Sequence, residues 1–176
     1  GGIWIGSYFG GVNYYPRFHT YFEKYYPKGT NNGLHGKRVR EFCQDNQGIL
    51  WIGTEDGGLN RFDPKTKTFS FFTPSTAFTN VHGLCLVGDH LWVGTFAKGV
   101  KAIVKTYQKT DSPRSLMDNS VFSICRTTTG DIYLGTLFGL LRYNKQTDDF
   151  DRIPELNGKF VYDIKEDSGS NLWLAT

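Results

Sequence analysis

Five short segments of this chain are copies of one another, and that repetition constrains the fold more than any other feature. Gly2-Ile3-Trp4-Ile5-Gly6-Ser7, Ile49-Leu50-Trp51-Ile52-Gly53-Thr54, His90-Leu91-Trp92-Val93-Gly94-Thr95, Asp131-Ile132-Tyr133-Leu134-Gly135-Thr136 and Asn171-Leu172-Trp173-Leu174-Ala175-Thr176 align without gaps. Their aromatic anchors are Trp4, Trp51, Trp92, Tyr133 and Trp173, at successive spacings of 47, 41, 41 and 40 residues. All 4 tryptophans of the chain occupy this one repeat position.

More of each unit aligns around the anchor. Val39, Val81, Val121 and Val161 each open an apolar run upstream. Between run and anchor lies a turn: Asp45-Asn46-Gln47-Gly48, Val87-Gly88-Asp89, Thr128-Thr129-Gly130 and Asp167-Ser168-Gly169-Ser170. A second, Gly-containing turn follows the anchor at Phe9-Gly10-Gly11, Asp56-Gly57-Gly58, Ala97-Lys98-Gly99 and Leu137-Phe138-Gly139. A third strand such as Leu59-Asn60-Arg61-Phe62 comes next. Asp63-Pro64-Lys65-Thr66-Lys67 then has the composition of a tight turn, and Thr68-Phe69-Ser70-Phe71-Phe72 closes the unit as a fourth strand. Four short strands in roughly 40 residues are the size and strand count of a propeller blade.

The predicted fold class is therefore all-β, with β-propeller blades built as four-stranded antiparallel repeats. About four blades are present, as a fragment of a larger propeller. The expected organisation is a single β-propeller fragment over 1–176, with a partial blade at 1–26, blades at 39–73, 81–110 and 121–154, and a partial blade at 161–176. Strands are predicted near 39–44, 49–54, 58–63 and 68–73 and at the corresponding offsets. Trp51 and Gly53 lie two apart on one strand face, so an indole stands beside a position with no side chain, where a neighbouring blade can approach closely. The anchors are accordingly expected between blades, with Trp51, Trp92 and Tyr133 mostly buried and Trp51→Ala costing about 3–5 kcal/mol.

Composition agrees. Aromatic residues make up 16% of the chain and there are 21 glycines, which suits many short strands joined by tight turns. The 20 basic and 17 acidic residues give a net charge of +3, too balanced for the dense basic patch of a nucleic-acid binder. No apolar stretch approaches the roughly 18 residues of a membrane-spanning helix, so neither nucleic acid nor membrane is expected as a partner of this segment. The chain opens in mid-repeat, without a signal-peptide pattern, and reads as excised from a longer protein.

Several motifs were weighed for chemistry. Cys43, Cys85 and Cys125 each fall four residues after the opening Val of their unit, with Lys165 at the fourth such position. One repeated site with no Cys-x-x-Cys or Cys/His spacing indicates buried, unpaired thiols and no metal. His19, His35, His82 and His90 share no ligand spacing. Asp167-Ser168-Gly169-Ser170 looks like a serine loop, but its repeat equivalent is the plain turn at Asp45–Gly48. Asp45-x-x-Gly48-x-Leu50-Trp51 faintly resembles a sialidase Asp-box without its leading Ser. Adjacent Glu55 and Asp56 point apart, unlike a paired acid and base. Gly10-Gly11 and Gly57-Gly58 precede no helix and are not phosphate loops. No catalytic residue and no cofactor are predicted.

The run Leu50-Trp51-Ile52-Gly53-Thr54, then Gly57-Gly58-Leu59-Asn60-Arg61, preceded by Val39 and Asp45–Gly48, resembles the two-component regulator propeller repeat. The unit around Trp92 departs from it: Lys98 replaces the first glycine of the pair, and no Asp-Pro turn leads into an outer strand. The resemblance implies a periplasmic sensor domain of a Bacteroides-type hybrid two-component system, whose parent protein is anchored in the inner membrane. It implies recognition of an oligosaccharide, with the signal passed to a histidine kinase and a DNA-binding output. The alternatives are a fragment of a propeller hydrolase or lyase acting on glycans, and a protein-interaction scaffold.

In a meandering blade, the turns between second and third strands emerge at the same end as the inter-blade connections. That places Tyr8, Phe9, Glu55, Phe96, Lys98 and Phe138 with His35, Lys37, Arg38 and Arg114 as the candidate ligand-binding set. Aromatic rings with polar neighbours suit sugar faces and hydroxyls. The partners expected are the oligosaccharide, further blades of the parent chain and a second copy, since the incomplete blades at the two ends would leave apolar flanks that favour self-association.

Overall fold

Each predicted unit condenses into its own antiparallel meander. The computed structural model describes residues 2–15, 23–28, 32–72, 78–102 and 105–176. A first sheet contains β1 (Ile3–Ser7), β2 (Gly11–Tyr15) and β3 (Glu23–Tyr25). The second runs β4 (Val39–Gln44), β5 (Leu50–Thr54), β6 (Gly58–Asp63) and β7 (Thr68–Phe71). The third runs β8 (Val81–Val87), β9 (His90–Thr95), β10 (Gly99–Ala102) and β11 (Lys105–Tyr107), and the fourth β12 (Val121–Arg126), β13 (Ile132–Thr136), β14 (Gly139–Asn144) and β15 (Asp149–Arg152). A pair, β16 (Asp163–Glu166) and β17 (Leu172–Ala175), follows. Among the described residues, the helical element with defined bounds is the three-residue 3-10 turn Pro154–Leu156. The all-β blade architecture expected from the repeat is the one observed. The Trp92 unit does form an outer strand, β11, without an Asp-Pro turn to start it. The beginning of the fourth strand expected from Thr20 lies outside the described residues.

The chain divides into two compact units, Gly1–Val81 and His82–Thr176. In the first, Val12, Ile52, Phe62 and Phe69 form a core with Trp4, Tyr25 and Phe42 packed against it. In the second, Trp92, Val100, Val121, Ile124, Leu134, Leu141 and Phe150 belong to one core, extended by Leu140, Val161 and Ile164. In both, successive sheets bury apolar side chains against each other.

The structure explains the anchor motif letter by letter. A Cβ on Gly6 would stand 2.9 Å from Val39 Cγ1, one on Gly94 3.0 Å from Val121 Cγ1, and one on Gly135 2.7 Å from the Val161 carbonyl. The motif glycine thus makes room for the valine that opens the next unit. The threonine after it is a turn latch. Thr54, Thr95 and Thr136 are fully buried, and their hydroxyls donate to the carbonyls of Gly58, Gly99 and Gly139 at 2.9, 2.8 and 2.8 Å. Upstream, the Asp45 carboxylate accepts the Gln47 and Ile49 N–H groups at 2.9 and 3.0 Å and the Trp51 indole N–H at 2.9 Å. Asp167 repeats this arrangement with Gly169, Asn171 and Trp173. Indole donation from Trp173, followed by backbone and side-chain donation from Asn171, holds the Asp167 carboxyl at about 2. The Asp-box-like spacing is a hairpin cap that also orients the anchor.

Trp92 is buried and Trp51 and Tyr133 are mostly buried, as expected, whereas Trp173 is 68% exposed. An indole tied to its own hairpin turn stays partly on the surface, and Trp51 meets Phe72 edge-on. The expected burial of the three thiols is corrected: no disulfide joins them, but Cys85 alone is buried.

Each unit also carries a latch from the outer strand of one blade to the outer turn of the next. In the first unit, Lys67 Nζ meets Glu23 at 2.6 Å. In the second, Lys105, Tyr107 and Tyr143 converge on Asp148, with the two tyrosine hydroxyls donating at 2.7 and 2.6 Å. Lys67 and Asp148 sit at equivalent turn positions, both with positive φ, so the two latches have opposite polarity. The Lys105 ammonium and the two hydroxyls hold the Asp148 carboxyl down to about 2. A carboxyl lowered on folding stabilises at pH values above its unfolded pKa of about 4, and that stabilisation is lost as pH falls toward 2. Asp148→Asn should therefore lower the melting temperature at pH 7, and the gap from the parent protein should close between about pH 4 and pH 2. A gap constant across that window would show that the carboxylate contributes nothing to the latch.

Candidate functional site

In two of the units the residue after the opening valine is out of step with its sheet. Pairing shifts register between Val39 and Glu41 and again between Val121 and Ser123, so Arg40 and Phe122 sit in β-bulges. A bulge re-aims a side chain out of the regular alternation. The equivalent residues of the other units are His82 and Tyr162. This position, with the turn after each anchor strand, supplies the side chains at the end of the blades where the candidate set was placed.

In the first unit the turn between β1 and β2 presents Tyr8 and Phe9, 52% and 63% exposed, with ring centroids 4.8 Å apart and edge to face. The Arg38 guanidinium lies over both rings, 4.8 Å from Phe9 and 5.3 Å from Tyr8, and the Arg40 guanidinium is 5.6 Å from Tyr8. Glu55 lies between the two arginines, its Oε2 3.5 Å from Arg40 and 4.0 Å from Arg38. The segment carrying Arg38 is pinned by the turn after β5. Asp56 Oδ1 accepts the Lys37 and Arg38 N–H groups at 2.8 and 3.2 Å, and the Glu55 N–H donates to the Arg38 carbonyl at 2.9 Å. Partial burial works against ionisation of Asp56, but the Arg38 and Lys37 N–H groups outweigh it and keep the carboxyl below its usual range. The result is a rigid seat for a guanidinium between two exposed rings.

In the second unit an aromatic cluster takes the equivalent place. Phe122 contacts His82 at 5.0 Å, Phe96 at 6.1 Å, Phe160 at 4.6 Å and Tyr162 at 6.2 Å between ring centroids. Phe96, Phe160 and Tyr162 are 45%, 38% and 45% exposed, whereas His82 is buried.

The structure thus brings together Tyr8, Phe9, Arg38 and Glu55, with the Lys37 backbone in the pinned segment, and separately places Phe96 in an aromatic cluster. Phe138 is exposed on its turn and Lys98 half-buried on its own. His35 is structural. Its ring stacks on Phe71 at 4.5 Å, its N–H donates to the buried Asn60 side chain, and its carbonyl accepts from Asn60 and Thr54. Arg114 does not belong to the set. Its connection runs along β15, where Phe150 N–H donates to the Arg114 carbonyl, and its guanidinium grips Asp149 at 2.6 and 2.9 Å and Asp151 at 2.8 Å. The inter-blade connection does not stay wholly at the end of the blades, because it first lines the outer strand of the following blade. Arg40, His82, Phe122, Phe160 and Tyr162 were missed. All but Phe160 share a signal that could have found them, a large side chain immediately after the unit-opening valine.

Among the described residues no group of three or more His, Cys, Asp or Glu side chains could hold a metal ion, and no helix is long and apolar enough to cross a membrane.

Comparison with known proteins gives consistent matches. Residues 33–56 match the family model of the two component regulator propeller. Histidine kinase P4 of Formosa agariphila is 33% identical over 186 aligned residues, which cover 95% of this chain and 14% of that protein. An extracellular domain assigned to a hybrid two-component system of B. thetaiotaomicron superposes with a TM-score of 0.75 at 26% identity, over 99% of this chain and 23% of that one. A second such domain from the same organism gives a TM-score of 0.77 at 24% identity and shares the fold, over 99% and 24% of the two chains. The chain therefore spans about a seventh of the kinase and a quarter of the solved domains.

Proposed function

Because this chain is built from two-component regulator propeller repeats, we propose that it forms part of the periplasmic sensor domain of a hybrid two-component protein and that it recognises an oligosaccharide. The observation that carries this reading is that each of the two units presents exposed aromatic rings with polar partners on its blade turns. Tyr8 and Phe9 stand beside Arg38 and Glu55, and Phe96, Phe160 and Tyr162 surround Phe122. Exposed rings on short, hydrogen-bonded turns offer flat apolar faces at low entropic cost, and the neighbouring charged groups supply hydrogen bonds to hydroxyls. Occupancy would be passed through the remainder of the parent protein to its histidine kinase.

Calorimetric titration with a glycan panel tests the assignment. Phe9→Ala and Phe96→Ala should each weaken the bound glycan about 2- to 10-fold, the worth of one aromatic contact. Unchanged affinity in both variants would remove these turns from the binding face. Chromatography of the same mixtures serves a second purpose, because shortened or unsaturated products would transfer the chain to the propeller hydrolases or lyases.

A further inference from the structure

Among the described residues, three arginines differ in how they are paired. Arg114 and Arg142 are held in hydrogen-bonded ion pairs. Arg114 donates twice to Asp149 at 2.6 and 2.9 Å and pairs with Asp151, and Arg142 donates to Asp131 at 2.9 and 3.3 Å. Arg38 is not. Its nearest carboxylate oxygen, on Glu55, is 4.0 Å away, beyond hydrogen-bond reach, and Glu55 lies closer to Arg40. The Arg38 backbone is pinned from both sides, and the guanidinium face is held over Phe9 and Tyr8. Asp56, the other carboxylate of the turn, is already committed to the Lys37 and Arg38 N–H groups. A planar cation with five donors is therefore positioned between two exposed rings with its hydrogen-bonding capacity largely unspent.

We propose that this face takes an acidic sugar, with the pyranose lying on Tyr8 and Phe9 and its oxyanion, a carboxylate or a sulfate ester, accepting from Arg38. This rests on the saccharide-sensing reading above and narrows it to one ligand chemistry. A neutral sugar would use the rings but leave the guanidinium without a hydrogen-bonded anion, whereas an oxyanion fits the bidentate geometry of a guanidinium.

The test is a glycan array carrying neutral, uronate-containing and sulfated oligosaccharides, probed with the full chain, followed by titration of the tightest glycan. Binding should concentrate in the acidic classes. Arg38→Gln should weaken it about 10-fold or more, and Arg38→Lys should recover only part of the loss, because the fork is gone while the charge remains. Arg142→Gln removes the same charge from an arginine already hydrogen-bonded to a carboxylate and should leave affinity within about 2-fold. Matching circular dichroism and melting curves for the two Arg38 variants exclude unfolding as the cause. A carboxylate ligand loses affinity as pH falls below about 4, and a sulfate ligand does not, which separates the two sources. Capture of neutral glycans alone, or Arg38→Gln behaving like Arg142→Gln, would overturn the acidic-sugar inference and leave saccharide sensing standing. Capture of no glycan of any class would overturn both.

Discussion

Replacing Trp92 by alanine is expected to cost about 3–5 kcal/mol, the loss seen when a large aromatic is cut out of a core. Trp92 is 5% exposed, stacks on Tyr107 at 5.4 Å and meets Tyr143 edge-on at 4.9 Å, inside a core that includes Val100, Val121 and Phe150. Alanine would leave a cavity lined by three strands that cannot collapse without breaking their ladders. Trp51 occupies the same repeat position but is less deeply buried and is held by Asp45, so Trp51→Ala should cost only about 1–3 kcal/mol, the range for one hydrogen bond and partial apolar burial. Urea unfolding followed by circular dichroism, where loss of one tryptophan does not change the probe, measures both. If Trp51→Ala proved as damaging as Trp92→Ala, the distinction between buried and turn-tethered anchors would be wrong.

Gly99→Ala should be nearly as severe. Gly99 opens β10 at φ +74°, and an added Cβ would stand 2.1 Å from the Tyr107 carbonyl oxygen on β11. The same residue donates its N–H to the Asn119 carbonyl at 2.7 Å and accepts the Thr95 hydroxyl at 2.8 Å, so the backbone cannot swing aside without breaking the turn latch. A left-handed penalty of about 1–2 kcal/mol then adds to an overpacking cost of about 1–3 kcal/mol. Gly88 is the matched control. It also has a positive φ, +61°, but a Cβ there meets nothing within 4 Å. Gly88→Ala should show the backbone penalty alone, about 1–2 kcal/mol. Equal losses in the two variants would mean that the carbonyl contact plays no part.

The repeat made the architecture legible because it is written in residues that have no freedom. The motif glycine must clear the next valine and a hydroxyl, of threonine or of Ser7, must close the turn, so they recur along the chain, and the hairpin-capping aspartate recurs at Asp45 and Asp167. The blade between β8 and β11 was harder to read because its outer turn lacks the Asp-Pro signature. The two remaining inaccuracies have different origins. Anchor burial depends on which neighbours cover each blade, a long-range property that the repeat cannot encode, and Trp92 and Trp173 differ on those grounds. Arg114 was misplaced because the path of a long connection is set by the partners it finds, here Asp149 and Asp151. The side chains after each opening valine, Arg40, His82, Phe122 and Tyr162, stood in register in the sequence. Strict two-residue alternation hides Arg40 and Phe122 in particular, because each sits at a bulge.

The opposed polarity of the two outer latches bears on how such an array avoids assembling in the wrong order. Near-identical blades offer near-identical docking surfaces, and misassembly between them is a characteristic failure of repeat proteins. The exposed Glu23–Lys67 and Lys105–Asp148 pairs each contribute little stability, on the order of 0–1 kcal/mol. Their value lies in exclusion. A blade carrying Glu23 that met the turn holding Asp148 would oppose two carboxylates, and one carrying Lys105 that met Lys67 would oppose two ammonium groups. The chain thus numbers its blades by sign, and an engineered array of identical copies of either pair would lose that numbering while keeping every attractive contact.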